Sequence, residues 1–200
     1  FSGLLGRWPG GCNTEASCWR LQPACGNGVG AVPSARWALE LAVDVSALSS
    51  TQAACVQHGG FVAGAQQFDA RTFGISASEA CAMDPQQRLL LEKGYEALHA
   101  SERGRSSLME QGVAVVVGIQ ANEFANIAMD KPTAALPVYA VSGSTFSVAA
   151  GRLSYVLGMQ GPCASYDTAC SAALTAAHAG WRACERGVAA GSCAERAWSE

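Results

Sequence analysis

The chain has 200 residues, enough for one domain or part of a larger one. Half of its residues are hydrophobic, 14% are charged and the formal net charge is −3. That balance supplies a large core and gives no basic field for nucleic acid, so a nucleic-acid partner is not expected. Nine cysteines, an odd number with no C-x-x-C pair, argue against a disulfide framework and a structural zinc site. Most are expected to be small buried hydrophobes. Phe1–Gly6 does not read as a signal peptide, and no apolar run reaches membrane-spanning length, so no membrane span is expected.

Residues 1–80 are punctuated by Gly and Pro at Pro9-Gly10-Gly11, Gly26, Gly28, Gly30 and Pro33. Loops, short helices and one strand near Phe61-Val62 are expected there. A helix should run from about 85 to 99. Asp84 can cap it, Pro85 suits its first position and Gln87 falls where a capping-box partner belongs. Leu91, Tyr95 and Leu98 repeat at helical spacing. Val113–Ile119 is β-branched and uninterrupted, the pattern of a strand buried on both faces. Ser144–Leu157 predicts a helix ended by Gly158, Cys163–Thr168 a second strand, and Ser171 to about Arg186 an Ala-rich buried helix. Strands alternating with helices make the fold class α/β. Between Pro132 and Trp181 only Arg152 and Asp167 are charged, which reads as core or an interface between protomers.

Chemistry concentrates at Tyr166-Asp167-Thr168-Ala169-Cys170-Ser171, where a strand gives way to a helix at a cysteine. The first amides of a helix lack internal partners and carry partial positive charge, which stabilises a thiolate and can face a developing oxyanion. A buried structural cysteine in an apolar turn is the competing reading. His58, His99 and His178 are the chain's three histidines. His178 lies about 12 Å of helix rise beyond Cys170, rotated by about 80°, so it cannot reach the sulfur. It reads as a packing residue, and a papain-like Cys–His pair is disfavoured.

Five segments stand in one order along the chain: Arg7-Trp8-Pro9-Gly10-Gly11, Phe68-Asp69-Ala70 with Phe73-Gly74-Ile75-Ser76, Met83-Asp84-Pro85-Gln86-Gln87-Arg88, Gly151-Arg152-Leu153-Ser154-Tyr155 and Asp167-Thr168-Ala169-Cys170-Ser171-Ala172-Ala173-Leu174. In register, they resemble the amino-terminal part of the β-ketoacyl synthase (ketosynthase) domains of type I polyketide synthases. Alanines at 172 and 173, where serines are usual, resemble the algal variant. The resemblance covers about residues 6–186 and implies a thiolase-like fold, its amino-terminal half only. It implies that Cys170 takes an acyl chain from a phosphopantetheine thioester for decarboxylative condensation, as an acyltransferase serving polyketide or fatty acid biosynthesis. No cofactor is implied for the domain itself. Substrates would arrive on an acyl carrier protein, among other synthase domains, and the full domain would form a homodimer.

The family's two catalytic histidines lie further downstream, so this chain alone is not expected to condense. A non-catalytic thiolase-fold fragment or dimerisation partner is the alternative reading. Degradative thiolases and acyl-CoA synthases fit the motifs less well. Residues 1–187 are read as the partial domain and 188–200 as a divergent tail, with no apolar strand and poor order expected. Self-association of the isolated chain is expected too.

Overall fold

A computed structural model describes residues 5–120, 123–129, 138–189 and 191–196. The chain divides into two compact units, one from Leu4 to Ala65 and one from Gln66 onward.

The first unit is assembled from short, locally tied pieces. Helix α1 (Glu15–Leu21) starts on a reciprocal capping box between Thr14 and Ser17. Strand β1 (Gly30–Ala31), helix α2 (Leu39–Ala42), helix α3 (Ser50–Gln57) and strand β2 (His58–Gly59) follow. A second capping box, Ser49 with Gln52, starts α3. The strand expected near Phe61-Val62 lies just upstream, where β2 pairs antiparallel with β1. Neither α1 nor α3 buries a residue. Cys12, Val62 and Ala65 are the buried hydrophobics among the described residues of this unit.

The second unit is organised around one strand. Helices α4 (Ala77–Ala82), α5 (Pro85–Ala100) and α6 (Arg105–Leu108) precede strand β3 (Val113–Gly118), every residue of which is buried. Helices α7 (Glu123–Met129), α8 (Ala140–Ser144) and α9 (Phe146–Leu157) lead to strand β4 (Cys163–Tyr166). Helix α10 (Ala172–Glu185) then leads to strand β5 (Gly191–Arg196). The three strands form a parallel sheet in the order β4-β3-β5.

Side chains alternate across a strand, and β3 uses its two faces differently. Val113, Val115 and Val117 join Leu90, Leu91 and Leu98 of α5 and Leu153 and Leu157 of α9 in the main core. The opposite face meets α10 through small residues. A Cβ on Gly118 would stand 2.6 Å from the Ala172 carbonyl carbon. Ala172, Ala176 and Gly180 are the buried residues of α10, so helix and sheet approach closely along one stripe.

Several expectations are corrected. Gln87 does not close a capping box; Asp84 alone caps α5, accepting from the Gln86 amide at 2.8 Å, and the Gln87 side chain turns inward to α8 and α9. The helix expected from Ser144 breaks at Thr145, whose extended backbone separates α8 from α9. Gly158 ends α9 in the left-handed conformation, as expected. Helix α10 is buried on one side only, because the sheet covers a single face; Leu174 is 74% and Trp181 60% exposed. β4 neighbours β3 as expected but is an edge strand, with Cys163 exposed and the next three residues half-buried. Among the described cysteines only Cys12 is buried, while Cys25, Cys55, Cys81, Cys163 and Cys170 are exposed. They sit on turns, short helices and the first residue of an edge strand.

The expectation that the tail offers no strand is corrected at 191–196, while residues 190 and 197–200 lie outside the described residues. Gly191–Arg196 forms β5 and pairs with β3 along its whole length, from Val113–Gly191 to Gly118–Arg196. Hydrogen bonding in a parallel ladder uses backbone groups, so a segment without apolar alternation can still extend a sheet beside a strongly formed strand.

Candidate active site

The elbow around Cys170 is built by its neighbours in the chain. β4 ends at Tyr166, and the chain turns through Asp167 and Thr168 into a single 3-10 turn, Ala169–Ser171, before α10 begins. Asp167 Oδ1 accepts the Ala169 amide at 3.2 Å. Ala169 has a φ of 52°, a left-handed conformation that costs a residue with a Cβ about 1 kcal/mol. Ser171 Oγ donates to the Thr168 carbonyl at 2.7 Å, and the Thr168 and Thr175 hydroxyls lie 3.1 Å apart. Ser171 therefore braces the turn and gives α10 no side-chain cap. The early amides of α10 keep their positive end beside Cys170, whose side chain is open to solvent.

Each of the three histidines has a neighbour of its own. His178 is exposed and packs edge-to-face on Trp181, ring centroids 5.9 Å apart, so it contacts an aromatic neighbour without entering the core. His99 sits in the last turn of α5, its ring 6.1 Å from that of Tyr95. His58 lies in the other unit, with Nδ1 3.0 Å from the Ala54 carbonyl oxygen. No cluster of three or more His, Cys, Asp or Glu suited to a metal occurs among the described residues. No helix among them is long and apolar enough to cross a membrane.

Residues 2–192 match the family described as β-ketoacyl synthase, N-terminal domain. The chain belongs to that family. It is 38% identical over 176 residues to a phenolphthiocerol/phthiocerol polyketide synthase of Mycobacterium tuberculosis, covering 88% of this chain and 11% of that protein. It is 37% identical over 186 residues to a pikromycin polyketide synthase component of Streptomyces venezuelae, covering 92% and 5%. Among solved structures, an oxazolomycin ketosynthase domain of Streptomyces albus superposes with a TM-score of 0.79 at 26% identity, covering 94% of this chain and 32% of that one. The module 6 ketosynthase of the Bacillus subtilis bacillaene synthase gives 0.73 at 28% identity, covering 94% and 29%. The fold is thus the amino-terminal part of a ketosynthase, of the thiolase-like class. This chain spans a small share of its curated relatives and about a third of the solved domains.

Three features of the ketosynthase elbow were not singled out from sequence. Gly118 admits α10, Ala169 carries the left-handed turn, and Ser165 Oγ ties β4 to α9 through the Phe146 carbonyl at 2.8 Å. Each depends on a partner distant in sequence or on a dihedral angle that residue type leaves open. A fourth, the inward cluster of Arg152, had a signal: it is one of two charges in fifty residues of apolar and small side chains.

Proposed function

We propose that this chain forms the acyl-accepting part of a ketosynthase that catalyses decarboxylative Claisen condensation in polyketide biosynthesis, with Cys170 as the nucleophile. The observation that carries the reading is an exposed cysteine at the strand-to-helix elbow, beside helix amides that no side chain caps. The Cys170 thiolate attacks the carbonyl carbon of a phosphopantetheine thioester. A new carbon–sulfur bond forms, the old one breaks, and the carrier leaves as a thiolate that takes up the proton Cys170 released. Thiolate suits this step because it is both a good nucleophile and a good leaving group. A malonyl-type extender then loses carbon dioxide, and its carbanion attacks the acyl-Cys170 carbonyl carbon; the acyl carbon–sulfur bond breaks, the Cys170 thiolate leaves, and the β-ketoacyl product stays on the carrier. The family stabilises the enolate with two histidines, and His58, His99 and His178 do not lie in the motifs that carry them. The partners are an acyl carrier protein and neighbouring synthase domains, and the complete domain is a homodimer.

Acyl loading tests the assignment. The chain is incubated with a short acyl thioester of pantetheine and its peptides are mapped by mass. The acyl mass is expected on the Cys170 peptide and lost in Cys170→Ser. Exposed Cys25, Cys55, Cys81 and Cys163 serve as internal controls, because exposure alone would load all five alike. Equal loading across them, or none on Cys170, would refute the nucleophile.

A further inference from the structure

Arg152 is the one buried cation on α9, and its guanidinium joins four elements. It pairs with Glu79 of α4, donates from Nε to Gln87 Oε1 of α5 at 2.9 Å, and donates from Nη2 to the Ser142 carbonyl of α8 at 3.4 Å. Gln87 Nε2 extends the network, donating to the carbonyls of Ser142 at 3.2 Å and Thr145 at 3.3 Å. Thr145 is the break between α8 and α9, and a break exposes backbone carbonyls that need partners. Asp84 secures the same bend, its amide donating to the Gly143 carbonyl at 2.8 Å. One residue past the break, the Phe146 carbonyl accepts from Ser165 Oγ on β4. Two residues beyond Ser165 the elbow begins.

We infer that Arg152 is a positioning residue for the nucleophile: with Gln87 it fixes the α8–α9 break, and through Phe146 and Ser165 that break holds β4 and the Cys170 elbow in place. A buried ion pair is seldom a source of net stability, since desolvation offsets the attraction. Its geometry, however, is demanding. The planar fork of Arg serves three acceptors in fixed directions, which a Lys ammonium cannot reproduce. Among the described residues β4 is laddered to β3 alone, so the Ser165 bond is a second tie on the strand. Ser165 pairs with Val117 in the ladder, so its side chain lies on the α9 face, where the Phe146 carbonyl meets it.

The test uses the 200-residue chain and two readouts: amide exchange across β4 and Asp167–Ala169, and iodoacetamide labelling of Cys170 relative to exposed Cys25 in the other unit. The variants are Arg152→Met, Arg152→Lys, Ser165→Ala and the Arg152→Met/Ser165→Ala double variant. Each single variant should speed exchange in β4 and the elbow, and slow relative Cys170 labelling, by about tenfold, the factor one net hydrogen bond carries. Exchange in β3 should be unchanged. The double variant should match the singles, because both cut one relay. Full additivity, recovery in Arg152→Lys, or an unchanged β4 in Ser165→Ala would each overturn the relay. Ser165→Ala also decides the matter if the Arg152 variants do not fold. The labelling readout rests on the Cys170 assignment and the exchange readout does not. Wild-type Cys170 labelling no faster than Cys25 would therefore remove the nucleophile, while exchange still judges the brace.

Discussion

The two units reach defined structure by different means. From Gln66 onward, a fully buried strand is packed between two helical layers, and helices of 12–16 residues gain their order from that burial. From Leu4 to Ala65, helices of 4–8 residues bury almost nothing, and reciprocal caps and short backbone bridges hold them. Caps fix where a helix starts but contribute only about 1 kcal/mol each. The contrast predicts that side-chain truncation is costly in one unit and backbone or cap changes dominate in the other.

The largest break of that contrast is expected at Leu153, fully buried between α9 and β3. Leu153→Ala should cost about 2–5 kcal/mol in urea unfolding, and Thr14→Ala, which removes the α1 cap, only about 1 kcal/mol. Equal losses would mean that the first unit is core-limited as well. Gly118→Ala comes next, at about 1–3 kcal/mol, because the added methyl meets α10 backbone that cannot rotate away. It should also slow alkylation of Cys170 by displacing the start of α10.

A smaller effect separates the buried acid of α5 from the exposed acids of the loops. Burial lifts the Asp84 carboxyl above its ordinary value of 3.8; the Gln86 amide and Arg88 pull it back, and Glu123 lifts it further. The native state thus holds the proton more tightly than the unfolded chain. The associated stability is fully present below the ordinary value and is lost as pH rises through the native one. Asp84→Asn keeps an N-cap oxygen, so its stability relative to wild type should improve as pH is raised from about 4 to 7. Asp69 behaves oppositely: the Thr72 hydroxyl and amide hold it below its ordinary value, so its contribution is lost as pH falls. A relative stability of Asp84→Asn that declines toward neutrality would contradict the assignment. The smallest change is Ala169→Gly at the elbow, which should stabilise by about 0.5 kcal/mol, relief of the left-handed strain being partly offset by backbone entropy. A destabilisation there would show that the alanine methyl packs against something.

Much was legible in the sequence wherever one residue type dictates one local solution. The β-branched run Val113–Val117 reads as a buried strand, Asp84-Pro85 as a helix start and Gly158 as a helix end, and each is found so. The motif order pointed to the family, and the elbow around Cys170 followed from a strand meeting a helix. What the sequence could not decide were matters of partnership. Whether Gln87 caps its own helix or braces another depends on Arg152, 65 residues away. Whether Cys163 or α10 is buried depends on how many layers cover the sheet. Whether 191–196 becomes a strand depends on the backbone edge that β3 offers, which no side-chain pattern in the tail records. Local sequence determines dihedral preference and the side a residue turns to the core. Tertiary structure alone decides which distant groups complete the hydrogen bonds and the burial, because those energies belong to pairs and not to single residues.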